Sequence, residues 1–342
     1  MRHYLLYICQ NYAFEILRPL QREIHERGDK VAWFVEGNDV NEALFDKNEY
    51  RLHSIGEVKQ FNPIAVFIPG NTVPSFIPGL KVQVFHGFEW KKKGHFRIRD
   101  CFDLYCTQGP LFTSKFNELK QQHPHFNVAE TGWPKVDDLF TTEPYHWEKQ
   151  KPLKTILYAP TFSPALTSSP ALQKNILSMA ITGKYQWLIK FHPKMAPELM
   201  EPFEEIESEY LHIVRDADIS PLLQAADVMV SDTSSVITEF ALLNKPVITY
   251  KNHSPEDHFI DIQQADELEH SLDAVLSGSA ELLERTEEAV QQLHPYNDGK
   301  SSQRIIDATL DMINVGFEGL EKKPANIIRN LKLRKKLGYW KL

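Results

Sequence analysis

Short apolar runs without strict alternation recur along the chain, and several are closed by glycine, proline or a small polar residue. HYLLYI, KVAWFV, PIAVFIPG, KVQVFHG, DLYCTQG and FNVAETGWP follow one another through residue 134. Strands buried on both faces of a parallel sheet carry this pattern. Between the first two runs, residues 13–27 space their apolar side chains as a helix does and stop at Gly28, a helix C-cap position. The pattern predicts an α/β domain over residues 1–148. The polar stretch TTEPYHWEKQKP (141–152) breaks the periodicity and reads as a linker. A second series, KTILYAPT, YQWLIKFHP, LHIVRD, DVMVSD and PVITY, alternates with helical segments and predicts a second α/β domain over residues 152–318. Helix dominates from about Asp266, and residues 319–342 read as a basic tail or closing helix. The expected architecture is two Rossmann-like domains with parallel sheets facing a central cleft.

Size and composition agree with this division. A chain of 342 residues is long for one core and suits two domains. No apolar run approaches the ~18 residues that span a bilayer, and the start lacks the pattern of a signal peptide. Cys9, Cys101 and Cys106 form neither an even disulfide framework nor a CxxC pair, so they read as free thiols in the cytoplasm. The net charge of −8 argues against nucleic acid as a partner. That charge is uneven: residues 322–342 carry +8, leaving −16 on the rest. With Ile327, Ile328, Leu331, Tyr339 and Trp340, the tail has the composition of an interfacial anchor on an anionic membrane. It equally suits a closing helix that packs on the first domain. An anchor predicts that removal from Lys322 onward leaves the melting temperature nearly unchanged.

The stretch SDTSSVITEF (231–240) joins a strand to a helix. Ser234 and Ser235 fall where backbone N–H groups lack helical partners and where a small side chain lets a phosphate approach. Glu239, one turn on, lies on the same face and would accept from ribose hydroxyls. Ordinary capping by serine explains the same residues without a ligand. Lys190, His192 and Lys194 alternate at the end of WLIKFHPK, so on a strand all three project together towards a diphosphate; solvated lysines on a strand cap are the plain alternative. Thr161 and Ser163 add hydroxyls at another strand end. In the first domain, His86 follows a strand and precedes Gly87, whose freedom allows a sharp turn. A histidine there suits a general base, and a satisfied buried histidine is the alternative. Lys91, Lys92 and Lys93 would hold an anionic acceptor. Neither the histidines of HPH (123–125) nor the cysteines of CFDLYC have metal-ligand spacing.

In their order along the chain, HG (86–87), GWPKVDDLF (132–140), YAPTFS (158–163), KFHP (190–193), SDTSSVITEFALLNKPVITY (231–250) and NDGKSSQRIID (297–307) resemble the CDP-glycerol glycerophosphotransferase family of teichoic acid and capsule polymer synthesis. The resemblance covers about residues 80–310 and implies the GT-B fold. It implies attack of an acceptor hydroxyl on the β-phosphorus of CDP-glycerol with release of CMP. His86 is then the base and His192 lies near the diphosphate. Asp232, Thr233, Ser234 and Ser235 join Thr161, Ser163, Lys190 and Glu239 in binding the donor, with Arg215 and Asp218 near its nucleotide base. Gly87 and the three lysines face the acceptor, a lipid-linked or oligosaccharide chain, and no cofactor or metal is required. FEWKKK after HG departs from the small residue and proline common in the family, which leaves the acceptor and the transferred polyol open. The length suits a single-transfer or capsule-type enzyme, cytoplasmic and peripheral to the inner membrane face. Two other readings remain: a GT-B glycosyltransferase or 2-epimerase acting on a UDP-sugar, and a non-enzymatic scaffold of capsule assembly.

Overall fold

The structure, a computed structural model, describes residues 1–88, 90–91, 94–206, 208–215 and 218–340. The chain forms two compact units, residues 1–138 with 292–342, and residues 139–291.

Among the described residues the first unit holds a seven-stranded sheet. Its strands are β1 (His3–Ile8), β2 (Lys30–Val35), β3 (Arg51–Leu52), β4 (Ala65–Ile68), β5 (Leu80–Gln83), β6 (Leu104–Thr107) and β7 (Asn127–Glu130), in the order β3-β2-β1-β4-β5-β6-β7. Each pairing is parallel. Helices α1 (Ala13–Glu26), α2 (Ile55–Phe61) and α3 (Pro110–Gln122) connect strands, and α4 (Asp137–Thr141) straddles the boundary. The unalternating runs are buried as expected: β1 and β4 through β6 are almost wholly inaccessible. Gly28 sits at φ +73, just past the α1 C-cap Arg27.

The second unit holds β8 (Thr155–Tyr158), β9 (Gln186–Ile189), β10 (Leu211–Ile213), β11 (Val228–Ser231), β12 (Val247–Tyr250) and β13 (Ile260–Ile262). They pair in parallel in the order β10-β9-β8-β11-β12-β13. Its helices are α5 (Ser169–Thr182), α6 (Pro197–Glu204), α7 (Ile219–Ala225), α8 (Val236–Ala241), α9 (Glu267–Leu276) and most of α10 (Ala280–Leu293). Trp187, Tyr158 and Phe203 are fully buried at the centre of the core. Side chains of this size stabilise the fold by about 1.5–3 kcal/mol each. In both sheets the first strand has its successor on one side and the fourth strand on the other. Ligands of open parallel sheets bind outside the carboxyl ends of the strands at such a reversal.

The boundaries differ from the expected 1–148, 152–318 and 319–342. Residues 292–318 belong to the first unit, because α11 (Ser301–Val315) is capped there by Asp137, whose carboxylate accepts from the N–H groups of Ser301 and Ser302 at 2.7 and 2.8 Å. The expected linker packs on the second unit instead: Tyr145 N–H donates to the Pro221 carbonyl, and Trp147 stacks on His212 at 5.8 Å.

The tail also belongs to the first unit. Helix α12 (Ile327–Lys336) buries Leu333, and Leu337 and Tyr339 join the core cluster around Phe116. Tyr339 stacks on Phe76, Lys323 pairs with the buried Asp103 at 2.6 Å, and Lys336 pairs with the buried Glu36 at 2.6 Å. A freely detachable anchor is therefore corrected to a packed helix. Its other side keeps Ile327, Ile328 and Leu331 exposed. No helix among the described residues is long and apolar enough to cross a membrane.

Candidate functional site

In the second unit the strand order reverses between β8 and β11. The residues just past both strands are Thr161 and Ser163 on one side and Asp232, Thr233, Ser234 and Ser235 on the other. Asp232 organises them. Its fully buried carboxylate accepts from the N–H of Thr161 (3.0 Å), the N–H and hydroxyl of Ser168 (2.8 and 2.9 Å) and its neighbour Thr233 N–H (2.6 Å). Its own carbonyl accepts from Asn252 Nδ2 at 2.8 Å, beyond β12. One side chain thus fixes the loops after β8 and β11, and its backbone holds the loop after β12. Burial pushes the Asp232 carboxyl above its ordinary pKa, and the N–H donors oppose that shift. Asp232 therefore shapes the site from behind, with its side chain engaged by protein groups.

Thr161, Ser163, Thr233 and Ser234 are half-buried and Ser235 is exposed. Ser235 takes the N-cap position of α8 but makes no side-chain capping bond, so simple capping does not account for it. Helix α8 has six residues, too short for its dipole to add much beyond local N–H groups. Glu239 is 5% exposed while Ser235 is open, so the two do not share one solvent face as helical spacing suggested.

Strand β9 ends at Ile189, so alternation does not extend to Lys190, His192 and Lys194. Lys190 Nζ donates to the Arg215 carbonyl at 3.0 Å and so ties β9 to the end of β10. His192 instead stacks on Phe162, with centroids 4.3 Å apart, and its Nδ1 accepts from Lys194 N–H at 3.0 Å. That bond leaves the proton of the neutral ring on Nε2. Burial and the Lys194 charge both hold its pKa below 6.5, so the ring is a neutral N–H donor at neutral pH. Phe162, a residue the sequence reading passed over inside YAPTFS, thus orients His192. Arg215 is exposed and pairs with Glu204 at 2.7 Å, and Asp218 is exposed at the N-cap of α7.

In the first unit His86 follows β5. The sharp turn expected at Gly87 is made one residue before the histidine, where Phe85 adopts φ +60. Phe85 is held there by stacking on His95 at 5.0 Å and by Trp133 Nε1, which donates to its carbonyl at 3.3 Å. The Gly87 carbonyl accepts from Gln108 Nε2 at 2.8 Å. His86 is half-buried, 5.7 Å from the Tyr12 ring and 6.2 Å from that of His95. Tyr12 lies just past β1, so the imidazole stands near the strand-order reversal of this sheet. Lys91 is exposed beside Trp90. Lys92 and Lys93 lie outside the described residues.

Two of the motifs, GWPKVDDLF and NDGKSSQRIID, hold the first unit together. Gly132 has φ +82, and a Cβ there would collide with Ser301 Oγ and lie 2.9 Å from His294 Nε2. His294 is buried and its Nε2 accepts from Trp133 N–H at 3.0 Å. Burial lowers its pKa to about 4.

Residues 97–257 match the family model described as CDP-Glycerol:Poly(glycerophosphate) glycerophosphotransferase. The teichoic acid glycerol-phosphate primase of Bacillus spizizenii is 39% identical over 101 residues, covering 28% of this chain and 25% of that protein. The teichoic acid poly(ribitol-phosphate) polymerase of the same organism is 28% identical over 207 residues, covering 53% of this chain and 33% of that protein. The alignments thus span about a quarter to a third of these relatives' length. Among solved structures, the wall teichoic acid polymerase TagF (H548A) superposes with TM-score 0.61 at 15% identity, covering 92% of this chain and 89% of that one. A putative UDP-N-acetylglucosamine 2-epimerase from Listeria monocytogenes superposes with TM-score 0.65 at 14% identity, covering 93% and 98%. These likenesses place the fold among α/β proteins of GT-B type.

Proposed function

Because the chain belongs, over residues 97–257, to the CDP-glycerol:poly(glycerophosphate) glycerophosphotransferase family, we propose that it transfers a polyol phosphate from a CDP-activated donor to an acceptor hydroxyl. The observation that carries this reading is the Asp232 clamp, which ties together the loops that carry Thr161 and Ser163 and that carry Thr233, Ser234 and Ser235, where the second unit's strand order reverses. Hydroxyls and N–H groups on short, fixed loops suit a diphosphate. Glycerol is the first choice of polyol, and the similarity to ribitol-phosphate polymerases makes ribitol the second.

The chemistry is a substitution at the β-phosphorus. The acceptor oxygen forms the new P–O bond, and the bond between that phosphorus and the α–β bridging oxygen breaks. The hydroxyl proton passes to His86 and CMP leaves. His192 serves through its Nε2–H as a neutral hydrogen-bond donor to the diphosphate. Such a donor, positioned in advance, stabilises charge on the leaving group without reorganisation. The acceptor is a lipid-linked or oligosaccharide chain of the teichoic acid type. Exposed Ile327, Ile328 and Leu331, beside basic residues of α12, support docking of the first unit on an anionic membrane surface while the helix stays packed.

The test incubates the full chain with CDP-glycerol, CDP-ribitol or UDP-N-acetylglucosamine and a teichoic-acid-type acceptor, and measures released nucleotide. Acceptor-dependent CMP is expected, and His86→Ala should abolish most turnover while donor binding stays within a few-fold. Turnover of the UDP-sugar alone would replace this reading with the epimerase one.

A further inference from the structure

We propose that Asp100, His123 and His125 form a structural binding site for a divalent transition metal such as Zn²⁺, separate from the transfer site. Nothing in the sequence marks it, since Asp100 lies 23 residues from His123 and the HPH spacing alone is uninformative. The fold brings them together because Asp100 precedes β6 and the two histidines precede β7, and these strands are parallel neighbours. His123 Nδ1 lies 3.0 Å and His125 Nε2 3.2 Å from the same Asp100 carboxylate oxygen. All three potential ligand atoms lie within 4.8 Å of one another. Bonds of about 2.0–2.2 Å to a tetrahedral Zn²⁺ place neighbouring ligand atoms about 3.3 Å apart. The cluster is therefore already close to the size of a coordination shell.

A second observation distinguishes it from an ordinary ion-pair triad. The His125 ring is 5% exposed, and its buried Nε2 has no hydrogen-bond partner despite its nearness to Asp100. A ligand that needs a lone pair rather than a donor–acceptor line satisfies that atom. Two imidazoles and one carboxylate select a transition metal over Mg²⁺ or Ca²⁺, which prefer all-oxygen shells. Asp100 and His123 remain partly open, which gives the metal an entry path and leaves room for a water as fourth ligand. Lys323, the nearby cation, is neutralised by Asp103 at 2.6 Å.

The position excludes a direct part in transfer. Asp100 and the histidines sit before the amino ends of β6 and β7, whereas His86 follows the carboxyl end of β5, so the site and the imidazole lie at opposite ends of the parallel strands. What the metal would hold is the final segment. Glu321 N–H donates to the Pro124 carbonyl at 2.9 Å, and Asn326 Nδ2 donates to the Asp100 carbonyl at 3.1 Å. A cation bridging the two loops would fix the surface on which residues 321–326 lie just before α12.

Chelator-treated full-length protein is titrated with Co²⁺, followed by visible absorption, and melted with and without one equivalent of Zn²⁺. His123→Ala and Asp100→Asn are compared with His146→Ala, an exposed histidine elsewhere, each below its own melting temperature. One equivalent of Co²⁺ should bind wild type and His146→Ala, with affinity at least 100-fold lower in the two site variants. Zn²⁺ should raise the melting temperature only of the first pair. Absence of saturable binding by wild type, or wild-type affinity retained in His123→Ala and Asp100→Asn, overturns the proposal.

Discussion

Replacing Asp232 with asparagine tests whether the second unit's site is built by that carboxylate. The change keeps the side chain's size and shape and replaces one oxygen with an NH2 group. If Oδ1 is retained, the bonds from Thr161 N–H and Thr233 N–H survive at 3.0 and 2.6 Å. The new amide then faces Ser168 N–H across 2.8 Å, donor against donor, while the Ser168 hydroxyl can rotate to accept. The loss is one charge-assisted bond, worth about 1.5–3 kcal/mol, plus an unsatisfied buried N–H. Burial of the carboxylate, which already costs some stability, offsets part of this. A net loss of about 2–4 kcal/mol follows. Urea unfolding followed by tryptophan emission, to which the buried Trp187 of this unit contributes, reads that loss as a lower midpoint. Donor affinity, measured by calorimetry with CDP-glycerol, should fall more than tenfold because the loop from Thr161 to Ser168 loses its anchor at Ser168. Wild-type midpoint together with wild-type affinity would refute the clamp.

Ending the chain before Lys322 removes the cations paired with buried Asp103 and Glu36 and exposes apolar surface. The melting temperature of the first unit should fall by on the order of 10 °C; an unchanged value in a thermal scan would restore the detachable anchor. His294 should make the first unit acid-labile: its pKa is lowered from 6.5 to about 4, so stability is present above pH 6.5 and is lost as the pH falls towards 4. The loss totals about 3 kcal/mol, and a His294→Gln variant should show a flatter urea midpoint across that window. Gly132→Ala should yield mostly insoluble or low-melting protein, because the position needs both a left-handed backbone and close approach to Ser301 and His294; a wild-type melt would contradict that packing.

Most of the fold was legible because buried parallel strands announce themselves as unbroken apolar runs. The two strands that left no such run were β3, two residues long, and β13, three. Serines 234 and 235 and His192 could be placed at strand ends from sequence alone. The roles of Asp232 and Lys190 could not, since both depend on partners far along the chain, Ser168 and the Arg215 carbonyl. The turn at His86 was misassigned to Gly87 because glycine is the usual left-handed residue, whereas stacking on His95 and the Trp133 contact hold Phe85 in that conformation. The return of residues 292–342 to the first unit was hidden for the same reason: a capping bond from Asp137 to Ser301 spans 164 residues.

That return has a consequence for synthesis. The ribosome delivers residues 1–138 first, then the whole of 139–291, and only then the strand-capping and helical segments that complete the first unit. The second unit is one uninterrupted stretch of chain and can close while translation continues. The first must wait, with Glu36 and Asp103 lacking their lysines and the Phe76 ring lacking Tyr339, until residues 323–339 emerge. Nascent chains stalled so that residues up to about 295 have left the ribosome should therefore hold one folded unit and one that still recruits chaperones.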